Sequence, residues 1–327
     1  MSEKRRKRGI NWGYLGEATA LPILTVLLAV FFAVLPETSE TFPTSENLKI
    51  MLGNQGALIV IAMAALIPLM AQEYDFSVGA TAGMGAIFGA SAFASGVSIP
   101  VVILLTIGIG AVVGIVNGLL VTLVKVNSVV ATLGTATLIA GVVGWKSNGL
   151  SLTAGIPSAL STLTTKGIFG IPDSFIIALI VTGLVYYLLR HTPFGRYLDA
   201  IGANLSAARL LGVSVDRYVL ASFVVAGVLS CSAGLLLIAQ SGSASPSIGP
   251  GFTLPAIAAA FLSVAAVVPG RFNVWGTLIA IIFLAILNSG LTLVGASPYV
   301  NDFANGGALI AGVALASLLG RRRRQSA

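Results

Sequence analysis

A few polar residues stand inside or next to long apolar stretches, where each needs a hydrogen-bond partner or a hydrated path. Asp75 lies between two apolar runs and Ser77 at the start of the second of them, and Asn117, Asn288 and Asp302 fall within such runs. Side chains of this kind can guide a small polar solute, and a buried carboxylate can bind a proton or a sodium ion. We take these five as candidate path residues. The alternative is that the two aspartates cap helices and the two asparagines join neighbouring helices.

Residue types exclude several kinds of catalysis. The chain has no Gly-x-x-x-x-Gly-Lys-Ser/Thr motif that would hold the phosphates of ATP. Its single histidine, His191, and single cysteine, Cys231, cannot form a typical zinc site, and no Ser-His-Asp set is evident. We therefore expect no catalytic residue, no metal and no cofactor bound by this chain. Any energy for transport has to come from an ion gradient or from another protein.

Composition identifies the elements that carry these residues. Of the 327 residues, 56% are hydrophobic and 9% are charged, and the mean hydropathy is +0.98. An ordinary soluble domain has about 25% charged residues. The 38 glycines suit helices that approach closely within a membrane. The sequence therefore predicts an all-α, polytopic transmembrane helical bundle. The net charge of +7 does not indicate nucleic-acid binding, because half of the basic residues lie in Lys4–Arg8 and Arg321–Arg324, beside apolar runs.

Ten apolar runs are candidate membrane spans. They cover residues 18–35, 52–71, 76–95, 99–122, 128–145, 173–190, 217–239, 253–268, 274–294 and 301–319. This divides the chain into a basic tail (1–17), a transmembrane domain (18–319) and a second basic tail (320–327). If the first tail is cytoplasmic, fifteen of the eighteen Lys and Arg residues fall on the cytoplasmic side and only Lys49, Lys146 and Lys166 on the other. Because positive charge favours the cytoplasmic side, we predict that both termini are cytoplasmic.

Two connections on the opposite side differ from simple turns. The stretch 146–172 is long and weakly apolar, and it is either a docking surface for a solute-delivering protein or a linker. The stretch 241–251, with two prolines and three glycines, cannot form a regular helix. It precedes a short apolar run, so we expect part of it to dip into the membrane beside the path.

The segment 191–217 is the only long polar interruption in the second half of the chain. Asn204 is expected to cap a short helix, and Gly212 stands where such a helix commonly ends. Between them, Ala207 and Ala208 give a compact face. A short capped helix held beneath a membrane domain is typical of a docking element for a cytoplasmic partner.

This segment resembles the cytoplasmic coupling segment of the ribose-type permeases of bacterial ABC sugar importers. The resemblance assigns to coupling Gly195, Arg196, Ala200, Gly202, Asn204, Ala207, Ala208, Arg209 and Gly212. It implies that the segment fits a groove of an ATPase and passes its motion to the membrane helices. The small residues Gly202 and Ala207 are expected to lie against that groove.

Further matches to the same permeases extend over roughly residues 50–320. They include Asp75–Gly79, Asn117-Gly118, Ala131–Gly134, Gly270–Thr277 and Leu287–Leu291. Two positions depart from the pattern of the family. Glu73 replaces a glycine, and Ser263-Val264-Ala265 replaces a Gly-Gly-Thr sequence.

The resemblance implies a multi-pass subunit of the bacterial inner membrane that carries a monosaccharide or related small polar solute. The implied partners are ABC ATPase subunits that bind ATP and Mg, an extracytoplasmic solute-binding protein, a second permease copy or similar subunit, and membrane lipid. No nucleic acid is expected. The alternative function is an ion-coupled secondary transporter, for which Asp302 is the candidate ion site.

Overall fold

A computed structural model describes residues 12–326 of the chain. The basic residues Lys4–Arg8 lie outside the described residues, so the cytoplasmic position of the first tail stays a prediction. Helices coincide with all ten apolar runs. They are α1 (Trp12–Val34), α2 (Ser45–Met70), α3 (Val78–Ala94), α4 (Ile99–Thr122), α5 (Ser128–Ser147), α7 (Asp173–His191), α10 (Val215–Ser241), α11 (Thr253–Leu262), α12 (Val274–Leu293) and α13 (Pro298–Ser326).

Short elements occupy the longer connections. Between α5 and α7 lie α6 (Ser158–Ser161) and the strands β1 (Gly167–Ile168) and β2 (Ile171–Pro172), which pair antiparallel. Between α7 and α10 lie α8 (Pro193–Ala203) and α9 (Leu205–Leu210). The all-α polytopic bundle is confirmed. Within residues 12–326, six helices are long and apolar enough to span a membrane, namely α2, α4, α5, α7, α10 and α12, so the count of ten spans stays a prediction.

Helix α2 forms the centre of the bundle. Its residues from Gly56 to Met70 are all buried, which requires the apolar residues on every side that the sequence supplies. Helix α10 packs beside α2 and also contacts α3 and α4. Helix α2, the most buried helix, therefore lies at the junction of several elements. A shift at either end of α2 would displace the helices packed against it.

Glycines on α3 and α4 let both helices approach α10. A Cβ on Gly110 of α4 would lie 2.8 Å from the Cβ of Cys231, and one on Gly85 of α3 would overlap the backbone carbonyl of the same cysteine. In the reverse direction, a Cβ on Gly234 of α10 would overlap the backbone of α3 near Ala82. The glycine pattern read from the sequence as a helix-contact surface is therefore confirmed.

The bundle has two ends with different elements. At the first, named the α8 face, α8 and α9 lie beside the connections 71–77 and 263–273, and the N–H of Val267 donates to the carbonyl of Ala18. At the second, named the hairpin face, β1 and β2 lie near the N-terminal part of α2. There the Ser289 hydroxyl donates to Asn47 Oδ1 over 3.2 Å. The cytoplasmic position of the α8 face stays a prediction.

The connection between α10 and α11 runs back into the bundle. At the hairpin face Ala244 pairs with Leu152. Only five residues later, Gly249 packs against the backbone of Gly79 and Gly83 in the first two turns of α3. The predicted inward dip of this connection is present, and it explains why α11 has only ten residues.

Candidate coupling surface and adjoining polar cluster

The α8–α9 segment is shaped by one apolar face and one shared cap. Leu198 and Ile201 of α8 are buried against the bundle. The N–H of Asn204 donates to the carbonyl of Ala200 at the end of α8, and its Oδ1 accepts the N–H of Ala207 over 3.0 Å at the start of α9. The predicted cap is confirmed, and it fixes the angle between the two helices.

The most exposed part of this segment is apolar. Leu210 is 89% exposed and Leu211 is 82% exposed, and both follow the exposed Arg209. Two adjacent large leucines on a polar segment are typical of a protein-binding surface. We name Leu205, Arg209, Leu210 and Leu211 the coupling surface. Sequence reasoning missed the leucines, although their apolar character within an otherwise polar stretch was a usable signal.

The nine residues assigned by resemblance divide by exposure. The exposed ones are Arg196, Ala200, Asn204, Arg209 and Gly212; Gly202 and Ala207 are half-buried, and Gly195 and Ala208 are buried. Gly212 has a φ of +80° just after the end of α9, a conformation that favours glycine. The small residues of this set thus serve contacts inside the chain as well as on its surface.

Gly202 touches the chain's own central helix. A Cβ built on it would overlap the carbonyl oxygen of Met70 and lie 3.7 Å from the Cα of Ala71. We expected the small size of Gly202 to suit a groove of a partner, but the structure places Gly202 against the chain itself. Gly202 instead lets α8 rest on the end of α2.

The connection 71–77, which follows that contact, is held by side chains of α5. The N–H of Tyr74 donates to Ser128 Oγ over 3.1 Å, and the N–H of Phe76 donates to Thr132 Oγ1 over 3.0 Å. The Tyr74 ring also stacks on Phe261 of α11, with 6.1 Å between the ring centroids. Movement of α8 against α2 would therefore reach α5 and α11 through this connection.

Three candidate path residues form one hydrogen-bonded chain. Ser77 donates to Asp75 Oδ1 through its N–H (2.9 Å) and its hydroxyl (2.6 Å), and Asn117 Nδ2 of α4 donates to Ser77 Oγ over 2.8 Å. All three residues are buried. The expected bond from the N–H of Ser77 to the Asp75 carboxylate is present. However, Ser77 is itself the N-cap residue of α3, and no side chain caps that helix, so Asp75 orders the turn before α3 and does not cap it. The structure also joins Asp75 to α4, which the sequence did not predict.

Two carboxyl groups near the α8 face, those of Asp75 and Asp199, differ in the charges that surround them. Burial raises the pKa of Asp75 above its ordinary value, and the bonds from Ser77 offset part of the rise. Burial likewise raises the pKa of Asp199 in α8, against the opposing effect of Arg271 and then of Arg190. Asp199 therefore lies near positive charge from the connection 263–273 and from the end of α7, whereas within residues 12–326 no ion pair includes Asp75.

The other two candidate path residues lie apart from this cluster. Asn288 is half-buried on α12 and faces a cavity among carboxamide side chains. Asp302 is exposed and lies in the second turn of α13, which begins at Pro298. The alternative interpretation, in which Asp302 caps a helix, is therefore wrong. Within the described residues, no group of three or more His, Cys, Asp or Glu side chains is placed to hold a metal ion.

Comparisons with known proteins all identify similar proteins that are permease components of transport systems. The model of the family described as "Branched-chain amino acid transport system / permease component" matches residues 47–314. The chain is 29% identical to the ribose import permease protein of Haemophilus influenzae, over 95% of this chain and 96% of that protein. It is 32% identical to the autoinducer 2 import system permease protein of Photorhabdus laumondii, over 88% of this chain and 87% of that protein. It is 31% identical to the galactose/methyl galactoside import permease protein of Salmonella typhimurium, over 99% of this chain and 100% of that protein.

Proposed function

Because the chain belongs to the branched-chain amino acid transport system / permease component family, we propose that it forms the path by which an importer carries a monosaccharide or related small polar solute. The chain is a multi-pass permease subunit of an ABC sugar importer in the inner membrane. The names of its relatives, which include ribose and galactose permeases, support a neutral sugar-like solute. The cytoplasmic side is that of the α8 face.

The coupling surface is the docking site for a separate ATPase subunit, which binds ATP and Mg. The observation that carries this proposal is the exposure of Leu210 and Leu211 on a segment held rigidly by the shared Asn204 cap. Apolar side chains at this position would be buried by a partner, and Arg209 beside them favours a groove with acidic residues.

Coupling follows from the contacts behind that surface. When the ATPase closes and moves α8, the contact of Gly202 with Met70 moves the end of α2. The connection 71–77 then shifts against Ser128 and Thr132 of α5. Packed helices transmit such shifts because their interfaces resist continuous deformation. This chain contributes no catalytic residue to the hydrolysis of ATP.

The hairpin face receives an extracytoplasmic solute-binding protein. The exposed tip of its β1–β2 hairpin, where Phe169 is fully exposed, supports a contact surface on this side. A second copy of the permease or a similar subunit completes the path, and lipid surrounds the remaining apolar faces. Selectivity then lies largely with the binding protein, in agreement with the small number of charged residues within the helices.

A co-purification experiment tests the docking proposal. The change Leu211→Ser, or Leu210→Ser, should abolish co-purification of the ATPase and solute-stimulated ATP hydrolysis in lipid discs, because it removes exposed apolar area without touching the core. The matched control is Leu123→Ser, since Leu123 is 70% exposed at the end of α4 and lies outside the coupling surface. Retention of a fully stimulated ATPase by both leucine variants of the coupling surface would refute the docking site.

The ion-coupled alternative has lost its main candidate. It relied on Asp302 as a buried ion site, and Asp302 is exposed. Uptake that is driven by an ion gradient in vesicles without any ATPase would nevertheless restore that alternative and contradict the proposal.

A further inference from the structure

A cavity of about 180 Å³ lies between α2, α10, α12, α13 and the inward-dipping connection before α11. It opens at Asn54 and Gly251, which are both exposed. Its volume accommodates several water molecules or one small solute. The bond from Ser289 to Asn47 joins α12 to α2 close to this cavity.

Carboxamides dominate the polar lining of the cavity. The chain has fifteen Asn and Gln residues, and five of them line this one space: Asn54, Gln55, Gln240, Asn288 and Asn305. They come from four helices that are distant in sequence. Among the residues that the structure describes, no charged side chain lines the cavity, whereas Phe252 and Leu284 provide apolar walls.

The carboxamides are not used to hold the bundle together. The Oδ1 atoms of Asn288 and Asn305 are shielded from solvent and have no hydrogen-bond partner among the described residues. A buried polar atom without a partner destabilises a fold. The buried Oδ1 of Asn117 also lacks a partner, but Asn117 still joins α4 to the connection 71–77 through its Nδ2, which donates to Ser77. No such bond ties the side chain of Asn288 or Asn305 to a neighbouring element among the described residues, and both line the cavity.

We propose that these five carboxamides form a contact site for a neutral, hydroxyl-rich solute during its passage through the chain. The proposal rests on the proposed transport function. A carboxamide both donates and accepts hydrogen bonds, as does a hydroxyl group, so the two match without any charge. An anion or cation would stay unpaired in this cavity and would be disfavoured. The apolar walls contact the carbon-bound hydrogens of such a solute.

The first experiment measures uptake and stability together. Gln240→Met and Asn305→Leu remove the carboxamide and nearly keep the side-chain volume. In vesicles that contain the complete importer, we expect each change to raise the concentration of labelled D-ribose or D-galactose needed for half-maximal uptake about tenfold, which equals about 1.4 kcal/mol. For Asn305→Leu we also expect the apparent unfolding temperature to rise, because a buried oxygen without a partner is lost.

The matched control is Ser230→Ala on α10. The Ser230 hydroxyl is also buried without a partner, but Ser230 does not line the cavity. We expect this control to raise stability and leave uptake unchanged. Unchanged uptake in both cavity variants, or an equal loss in the control, would overturn the proposal.

A second experiment uses the permease alone in lipid discs and therefore does not depend on an ATPase. A cysteine introduced by Asn305→Cys should react with a small neutral thiol reagent, while the buried Cys231 stays unmodified. Excess D-ribose or D-galactose should slow the reaction severalfold, and the corresponding sugar acids should not. A lack of protection by either sugar refutes the cavity site even if ATP-driven uptake is observed. Protection without ATP-driven uptake supports the cavity and refutes the proposed importer.

Discussion

The change Gly202→Ala tests whether motion of α8 reaches the bundle through α2. The new methyl group would overlap the carbonyl oxygen of Met70. That carbonyl belongs to a helix buried on all sides from residue 56 onward, so it cannot move aside easily. We expect α8 to tilt away from α2 while the coupling surface stays on the surface. The importer should then bind its ATPase and lose solute uptake.

The magnitude follows from two opposing effects. Overpacking of a tight contact costs about 1–3 kcal/mol, and replacing a helical glycine by alanine returns about 0.5–1 kcal/mol. The net destabilisation should therefore lie in the range of roughly 0–2.5 kcal/mol. This is enough to shift α8 and too little to prevent the chain from folding.

The assay compares three quantities in the same lipid discs or vesicles: the unfolding midpoint of the permease, co-purification of the ATPase, and ATP-driven uptake. The matched control is Gly183→Ala on α7, where a Cβ meets nothing within 4 Å, so stability should rise slightly and uptake should persist. If Gly202→Ala keeps normal uptake and stability, or if it loses ATPase binding, the α8–α2 relay is refuted.

Two further predictions concern the connection 71–77. Thr132→Val should destabilise the chain by about 1–3 kcal/mol, because the N–H of Phe76 loses its acceptor; the unfolding midpoint measures this, with the exposed Thr137→Val on α5 as control. The raised pKa of Asp75 means that the unfolded chain releases this proton at a lower pH than the folded chain. The contribution of Asp75 to the free energy of unfolding is therefore fully present at a pH below its ordinary pKa of 3.8. This contribution is lost as the pH rises through the pKa of the folded chain. Asp75→Asn should flatten that part of the pH profile of the unfolding midpoint, and an unchanged profile would contradict the assigned burial.

Local signals were sufficient for much of the fold. Long apolar runs predicted the helices, because a helix within a membrane must be apolar wherever it meets lipid or another helix. Asn204 was predicted as a cap because capping depends on residues only a few positions away. The dip of the connection 241–251 followed from its prolines and glycines and from the short run after it.

Features that depend on distant residues were not predictable in this way. The link from Asn117 to Ser77 joins α4 to the connection 71–77, and the contact of Gly202 with Met70 joins a surface helix to the centre of the bundle. The carboxamide cavity combines Asn54 near the beginning of the chain with Asn305 near its end. Nothing in the local sequence of either residue indicates the other, so only the folded arrangement reveals the site.

The close packing of α3 on α10 also bears on the order in which the chain is assembled. Helix α3 has 17 residues, which is at the short end of the range for a membrane-spanning helix. Its glycine surface rests on Cys231 and Gly234, which are synthesised well over a hundred residues later. A nascent chain that ends after α7 lacks this surface. We therefore expect α3 to complete its packing only after α10 has entered the bilayer, late in translation.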